Sequence, residues 1–455
     1  MESKTQFASK IGLVAATVGS AVGLGNIWRF PAEVQQYGGA AFLLLYIVCV
    51  LILGIPVMLA EFSLGRGTHN DTIGAFHAFK PRQPWWIVGA LAVLAPYLIL
   101  CYYMVVEGWT FEYLYHSLAG GLFDGFDNLD SAQMRQLFGE RMAQYIESDL
   151  QPLAFVAFAI VVNILVLVGG VQKGIERISN VLMPLLFVIL AALMIVSLTL
   201  PNSAEGVRYF LRPDFSLITP GVVVSALGQA FFSLSLGMGI LITYASYYPA
   251  DTKLPRTSVI VALLSLLVAI MTGLVIFPAV KSFGLDNEPL QGATLVFITL
   301  PEIFARLPLP RLWSSLFFLL LAVASLTSTV SMAEVAIASL QKRFGMSRIK
   351  AVFTAMLPLF VLSALPSLSF GSLESVKIFG FTIFDFLDNF CTNILLLLVS
   401  LGLCIYVGWF APKGFLRSEI TNGGKLKTPL GIASLYIIRY VAPLLIVLIF
   451  VYNLI

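Results

Sequence analysis

The sequence predicts an all-α polytopic membrane protein of eleven transmembrane helices, built as a 5+5 inverted repeat with the first and sixth helices broken. Three observations predict it. Apolar stretches of about 20 residues recur from end to end, each able to cross a hydrocarbon core of roughly 30 Å. Hydrophobic residues make up 59% of the chain and charged ones 11%. With a mean hydropathy of +0.93, this excludes an ordinary soluble globule. Finally, glycine-rich breaks interrupt two of the stretches, five helices apart, which is the pattern that marks a transporter site at the membrane midplane.

The eleven helices are expected at about 11–36, 40–66, 86–117, 152–170, 178–200, 218–248, 256–281, 311–342, 348–366, 377–411 and 430–453. Pro81, Pro84, Pro201, Pro308, Pro310, Pro412 and Pro429 punctuate several ends. The first helix carries Gly19-Ser20-Ala21-Val22-Gly23-Leu24-Gly25-Asn26, followed by Trp28-Arg29-Phe30-Pro31. Glycine costs a helix about 1 kcal/mol per position, and opened backbone at membrane depth is tolerated only where protein or a polar cavity satisfies it. Asn26 and Arg29 beside the break favour a pathway over a simple packing kink. The sixth helix repeats the feature, from Gly228 to Gly239. Helices 1–5 (about 11–200) and 6–10 (about 218–411) then form the two repeats. Because five is odd, they enter the membrane from opposite sides. Helix 11, 430–453, stands outside the repeat.

The polar stretch 120–151 reads as an outside loop with short helical pieces. The run 292–306 reads as a lid or re-entrant segment. Lys and Arg are about twice as frequent in the loops on the N-terminal side, which puts the N-terminus in the cytoplasm and the C-terminus outside. The expected location is the plasma (inner) membrane, with the lipid bilayer as surroundings. The net charge of +3 is too small and scattered for nucleic acid. Cys49, Cys101, Cys391 and Cys404 lie in apolar runs without metal-ligand spacing. His69, His77 and His116 form no catalytic constellation, so no enzyme is expected. The oligomeric state is not encoded in any visible pattern.

The run Gly19–Pro31 resembles the first helix of the neurotransmitter:sodium symporter family. Gly38-Gly39-Ala40-Ala41-Phe42, Ile55-Pro56 with Glu61, Lys173-Gly174-Ile175-Glu176-Arg177, Ser235-Leu236-Gly237-Met238-Gly239, Thr243-Tyr244-Ala245-Ser246-Tyr247 and Leu326-Thr327-Ser328 are similar too. The resemblance covers nearly the whole chain, and is to bacterial sodium-coupled amino-acid transporters of the leucine-transporter type.

The resemblance implies a ligand set. The Leu24 and Gly25 amides and the Tyr103 hydroxyl would hold a substrate carboxylate, and carbonyls around Ala21 and Phe232 its amine. Ser20, Ile99, Phe232, Ser233, Ser235, Met238, Ser328 and Met332 would complete the substrate site. Sodium would take Ala21, Asn26 and Ser233 at one site, and Gly19, Val22, Ala324, Thr327 and Ser328 at a second. Tyr46, Gln229, Ser233 and Ser265 resemble the chloride site of animal relatives, and Ser265 and Ala269 stand where chloride-independent members carry a carboxylate. Gly23 replaces the aspartate of monoamine carriers, which favours an amino acid, and the apolar lining favours hydrophobic ones, aliphatic and aromatic. Arg29 with Asp388, or Asp385 one turn away, would gate one side. Lys4 and Tyr247 would gate the other; Lys342 occupies the usual acidic position, so either Glu334, two turns deeper, is the acid or that gate is weak. Channel-like or transceptor proteins on the same fold are the alternative. Two breaks with an Arg–Asp gate favour occlusion over free conduction.

Overall fold

The computed structural model describes residues 6–126, 129–285 and 292–454. Lys4 lies outside them. Nine continuous helices among the described residues are long and apolar enough to cross a membrane. An interrupted tenth crossing is made by α1 (Lys10–Ala21) and α2 (Gly25–Gln36), which meet at 50°. In chain order there follow α3 (Ala40–Thr68), α4 (Trp86–Ala119), α5 (Leu150–Val168) and α6 (Val171–Leu198). The second break separates α7 (Pro220–Ser233) from α8 (Ile240–Ser246). Then come α9 (Leu254–Ser282), the shorter α10 (Gly292–Ala305), α11 (Pro310–Phe344), α12 (Arg348–Leu368), α13 (Ile383–Phe410) and α14 (Gly431–Tyr452). The expected eleven is reached only if α7 and α8 together count as one crossing.

Sequence spacing decides which faces turn outward. Val181, Val188 and Ile195 of α6 recur every seven residues and are exposed, as are Leu44, Val48, Leu51 and Ile52 of α3 and Phe158, Val161 and Leu165 of α5. Exposed apolar stripes of this kind suit hydrocarbon and not water. The polar residues of the same spans are turned inward: Glu61, Glu107, Asn163, Gln229 and Glu334 are fully buried. α11 packs along α4, α8 against α3, and α1 between α6, α9 and α11. The first break therefore lies among helices from distant parts of the chain. The stretch read as a loop with helical pieces contains the helix Ser131–Glu147, started by a capping box on Asp130 and Gln133. The expected lid is α10, a buried segment whose Phe297 packs on Trp28, Trp109 and Tyr113.

The N-terminal side is tied by ionic contacts between distant segments. Arg66 of α3 is buried; its Nε lies 2.7 Å from Glu419, and its other nitrogens donate to the carbonyls of Thr252 (2.6 Å) and Glu419 (2.6 Å) and to Asn422 (3.0 Å). Lys10 and Asp251 pair at the surface, and the Lys10 hydrogen bond holds the Asp251 carboxyl below its ordinary range. An exposed pair of that kind adds little stability. Removing Arg66 is different, because it strands buried acceptors. Arg66→Ala is expected to destabilise the fold by about 3 kcal/mol, and Lys10→Ala to have no measurable effect. Thermal unfolding in detergent compares the two.

Candidate functional site

The site grows out of the two breaks. At the end of α1 the chain turns extended at Val22 (φ −97°, ψ 96°). The Leu24 N–H, freed from regular helix bonding, donates to the Tyr103 hydroxyl of α4 at 3.0 Å. Gly23 sits in the turn. A β-carbon there would stand 2.5 Å from the Ser328 hydroxyl and 3.1 Å from that of Tyr103, so only glycine leaves both groups in place.

In the second break Ser235 and Gly237 take positive φ, +53° and +76°. The Gly237 N–H donates to Glu61 of α3 at 2.8 Å, and a β-carbon on Gly237 would strike the Leu396 carbonyl of α13 at 2.5 Å. The breaks are also joined to each other. Ser235 Oγ donates to the Ser20 carbonyl at 2.6 Å, and Gln229 Nε2 to the Gly25 carbonyl at 3.0 Å. The Ser20 carbonyl is thus satisfied by a side chain of the other broken helix, as a membrane interior requires, while the Gly25 carbonyl accepts from Gln229 in addition to the Phe30 N–H.

Between the breaks lies a cavity of about 30 Å³, room for little more than a water molecule. Of the twelve residues expected around a substrate, all but Leu24 line it: Ser20, Ala21, Gly25, Ile99, Tyr103, Phe232, Ser233, Ser235, Met238, Ser328 and Met332. Gly23, Asn26 and Ile240 also line it. Leu24 instead faces a chamber of about 840 Å³ that shares Gly25, Tyr103 and Phe232 with the cavity. Tyr103 and Phe232 thus stand between chamber and cavity.

Two polar atoms mark the places expected to hold cations. Asn26 Oδ1 and Ser328 Oγ are buried without a hydrogen-bond partner among the described residues. Asn26 Nδ2 donates to Ser265 Oγ (2.9 Å) and to the Ser265 carbonyl (3.1 Å), which fixes the amide with its oxygen unpaired. Thr327, by contrast, turns its hydroxyl back on the Val323 (3.1 Å) and Ala324 (3.2 Å) carbonyls of its own helix. Gly19 nevertheless packs on it, its would-be β-carbon 3.2 Å from Thr327 Cβ. Oxygen atoms of this kind, uncharged and buried, suit a hard monovalent cation. The four residues of the expected anion site lie near one another. Tyr46 donates to Ser233 Oγ at 2.9 Å, Ser265 to the Ser233 carbonyl at 3.2 Å, and Gln229 stands one turn before Ser233 on α7.

The two ends of the route differ. On the chamber side Arg29 Nε lies 3.2 Å from Glu33, and the guanidinium covers the Phe232 ring with its carbon 5.2 Å from the centroid. Asp388 and Asp385 line the same chamber, but neither pairs with Arg29. Asp388 Oδ1 accepts from Thr392 (3.2 Å), and Asp385 from Thr382 (2.7 Å). The side carrying the N-terminus is filled around Phe7. Phe7 packs its ring on Tyr244, Tyr247 and Tyr248 and donates its N–H to the Tyr247 carbonyl. The Tyr247 hydroxyl donates to Glu334 at 2.9 Å, and Arg348 lies 2.7 Å from the same carboxylate. Glu176 accepts from the Ala8 and Ser9 N–H groups at 2.7 and 3.0 Å, anchoring the segment that leads to α1.

Comparison with known proteins decides the family. The profile described as the sodium:neurotransmitter symporter family matches residues 4–124 and 134–455. The chain belongs to that family. It is 37% identical to an uncharacterised sodium-dependent transporter, YhdH, of Bacillus subtilis, over 99% of this chain and 97% of the relative. It is 35% identical to an uncharacterised sodium-dependent transporter of Haemophilus influenzae, over 100% and 99%. Among solved structures, that of MhsT in complex with L-phenylalanine matches 99% of this chain and 100% of its own, with a TM-score of 0.89 and 39% identity. The protein is therefore a multi-pass, sodium-dependent transporter of a small molecule with the leucine-transporter fold, and not an enzyme.

As a sodium:neurotransmitter symporter the chain carries three polar groups that the sequence reading did not use: Glu33, Ser225 and Arg348. Glu33 stands one turn after Arg29, so i,i+4 spacing was the available signal. Arg348 follows the turn at Gly345, and no local pattern points it back at Glu334. The glycine in the first break yields a test. Gly23→Ala is expected to weaken substrate binding at least about fivefold, since overpacking a tight site costs about 1–3 kcal/mol. Binding measured beside the melting temperature should show the loss with folding retained.

Proposed function

We propose that the protein is a sodium-coupled symporter that imports hydrophobic amino acids, aliphatic and aromatic, by alternating access, with stimulation by chloride. The observation that carries this reading is the single cavity where both helix breaks, the Tyr103 hydroxyl and apolar side chains converge. A zwitterion suits it. Backbone N–H groups and the Tyr103 O–H are donors for a carboxylate, carbonyl oxygens of the two breaks are acceptors for an ammonium, and neither charge needs a protein counter-ion. No acid stands at Gly23, so a substrate without its own carboxylate would leave the site positively unbalanced once sodium is present. MhsT, bound to L-phenylalanine, supports the same class.

The residues would act as follows. Leu24, Gly25 and Tyr103 bind the carboxylate; Ser20, Ala21, Phe232, Ser233 and Ser235 surround the amine. Ile99, Met238, Ser328 and Met332 contact the side chain. The cavity as it stands is too small for a phenyl ring, so Phe232 and the two unbranched methionines must repack around one. One cation would take Ala21, Asn26 and Ser233, and another Gly19, Val22, Ala324, Thr327 and Ser328. Sodium there supplies positive charge beside the substrate carboxylate. Tyr46, Gln229, Ser233 and Ser265 would hold chloride. Arg29 and Asp388 would close the chamber side, with Tyr247 and Lys4 serving the opposite one. We assign the chamber to the outside and both the N-terminus and the filled side to the cytoplasm of the plasma (inner) membrane, with the repeats at about 11–200 and 218–411 and the C-terminus outside.

Uptake of radiolabelled L-phenylalanine or L-leucine into proteoliposomes is expected to require sodium and to saturate. Equal uptake in sodium and in choline, with no proton gradient, would refute the symport reading, and non-saturable flux would point to a channel. Chloride has its own test. A buried site holding sodium needs a compensating negative charge, and neither Ser265 nor Ala269 supplies one. Replacing chloride by gluconate should reduce uptake severalfold, and Ser265→Glu or Ala269→Glu should abolish that difference. Identical rates in both anions for the unmodified protein would rule chloride out.

A further inference from the structure

Among the described residues four charged side chains line the chamber: Arg29, Glu33, Asp385 and Asp388. Only one of them is a cation. Glu33 holds it, from the same helix and one turn away, at 3.2 Å from Nε. The other oxygen of Glu33 accepts from the Ser225 hydroxyl of α7, so the carboxylate is fixed from two sides, with Oε1 held toward Arg29. Asp388 stands across the chamber on α13, steadied by Thr392. Resting on the reading that Arg29 and Asp388 gate the chamber, we infer that Glu33 is a positioning residue that competes with Asp388 for Arg29 and favours the open chamber.

The physical argument is a competition between two carboxylates for one guanidinium. Glu33 lies on the helix that carries Arg29, so the pair persists as that helix moves. Closing requires Arg29 to loosen its bond to Glu33, or else brings a second carboxylate onto a guanidinium already paired. The first loses a charge-assisted hydrogen bond; the second crowds like charges as solvent leaves. Either route opposes closure, and glutamine at position 33 would remove the opposition while keeping shape and the contact with Ser225. A partly exposed pair of this kind is worth up to about fivefold in an equilibrium.

The test is the reactivity of a cysteine placed in the chamber wall, Ala143→Cys, toward a membrane-impermeant thiol reagent in sodium. The four native cysteines are buried. Labelling is measured over a titration of L-phenylalanine. Glu33→Gln should slow labelling about two- to fivefold and strengthen apparent affinity by a similar factor. Asp388→Asn should do the reverse. Ser225→Ala, which keeps the charge, should label nearly as the parent does. Unchanged labelling in Glu33→Gln, or faster labelling as in Asp388→Asn, overturns the competition. So does a Ser225→Ala variant that reproduces Glu33→Gln, because a structural tie would then explain both. If Asp388→Asn labels like the parent, the gate reading fails first, and that outcome is distinct from failure of Glu33.

Discussion

Everything in this transporter depends on how it satisfies a backbone opened in the middle of a membrane. Hydrocarbon offers no hydrogen bonds, so each N–H or carbonyl released from a helix must find a partner in protein. Here the partners come from elsewhere in the chain: Tyr103 for Leu24, Glu61 for Gly237 and Ser235 for the Ser20 carbonyl, with Gln229 adding a second bond to the Gly25 carbonyl. The two interrupted helices are therefore bound to each other through side chains of the second that donate to carbonyls of the first. Moving one without the other would strand polar groups at about 1–3 kcal/mol each.

That mutual bonding leaves polar atoms over at the same place. Asn26 and Ser328 keep oxygen atoms unpaired on either flank of a cavity lined by Tyr103, Phe232 and methionine. The polar groups that serve the backbone and those left for ligands are different atoms of the same few residues. In Asn26 the amide nitrogen is committed to Ser265 and the oxygen is not. A ligand then completes a hydrogen-bond set that the fold leaves one member short.

Much of the fold and of the site was legible in the sequence, for physical reasons. Glycines within an otherwise apolar span are strong signals, because a membrane helix tolerates them only where something else compensates. Both breaks were visible in this way; the cavity residues on unbroken helices, Ile99, Tyr103, Ser328 and Met332, followed only from the family resemblance. Span number was less secure, since α7 and α8 are each too short to cross alone. Side-chain pairing was least legible. Arg29 is paired with Glu33 and not with Asp388, because a carboxylate one turn away on the same helix is present whether or not the chamber is closed. Glu334 pairs with Arg348 through a turn whose direction no local pattern sets. The size of the cavity was not legible at all, being fixed by rotamers of Phe232, Met238 and Met332.

The aromatic cluster at the N-terminal side has a thermodynamic consequence. Phe7 is held by three tyrosine rings, with Glu334 and Arg348 only at its margin. Opening that side wets apolar surface, and wetting apolar surface raises the heat capacity. The enthalpy of the opening step therefore changes with temperature, whereas an opening governed by ion pairs alone would lack this apolar contribution. Cooling weakens the grip of the rings and warming strengthens it, so a transport cycle limited by this step has a curved Arrhenius plot.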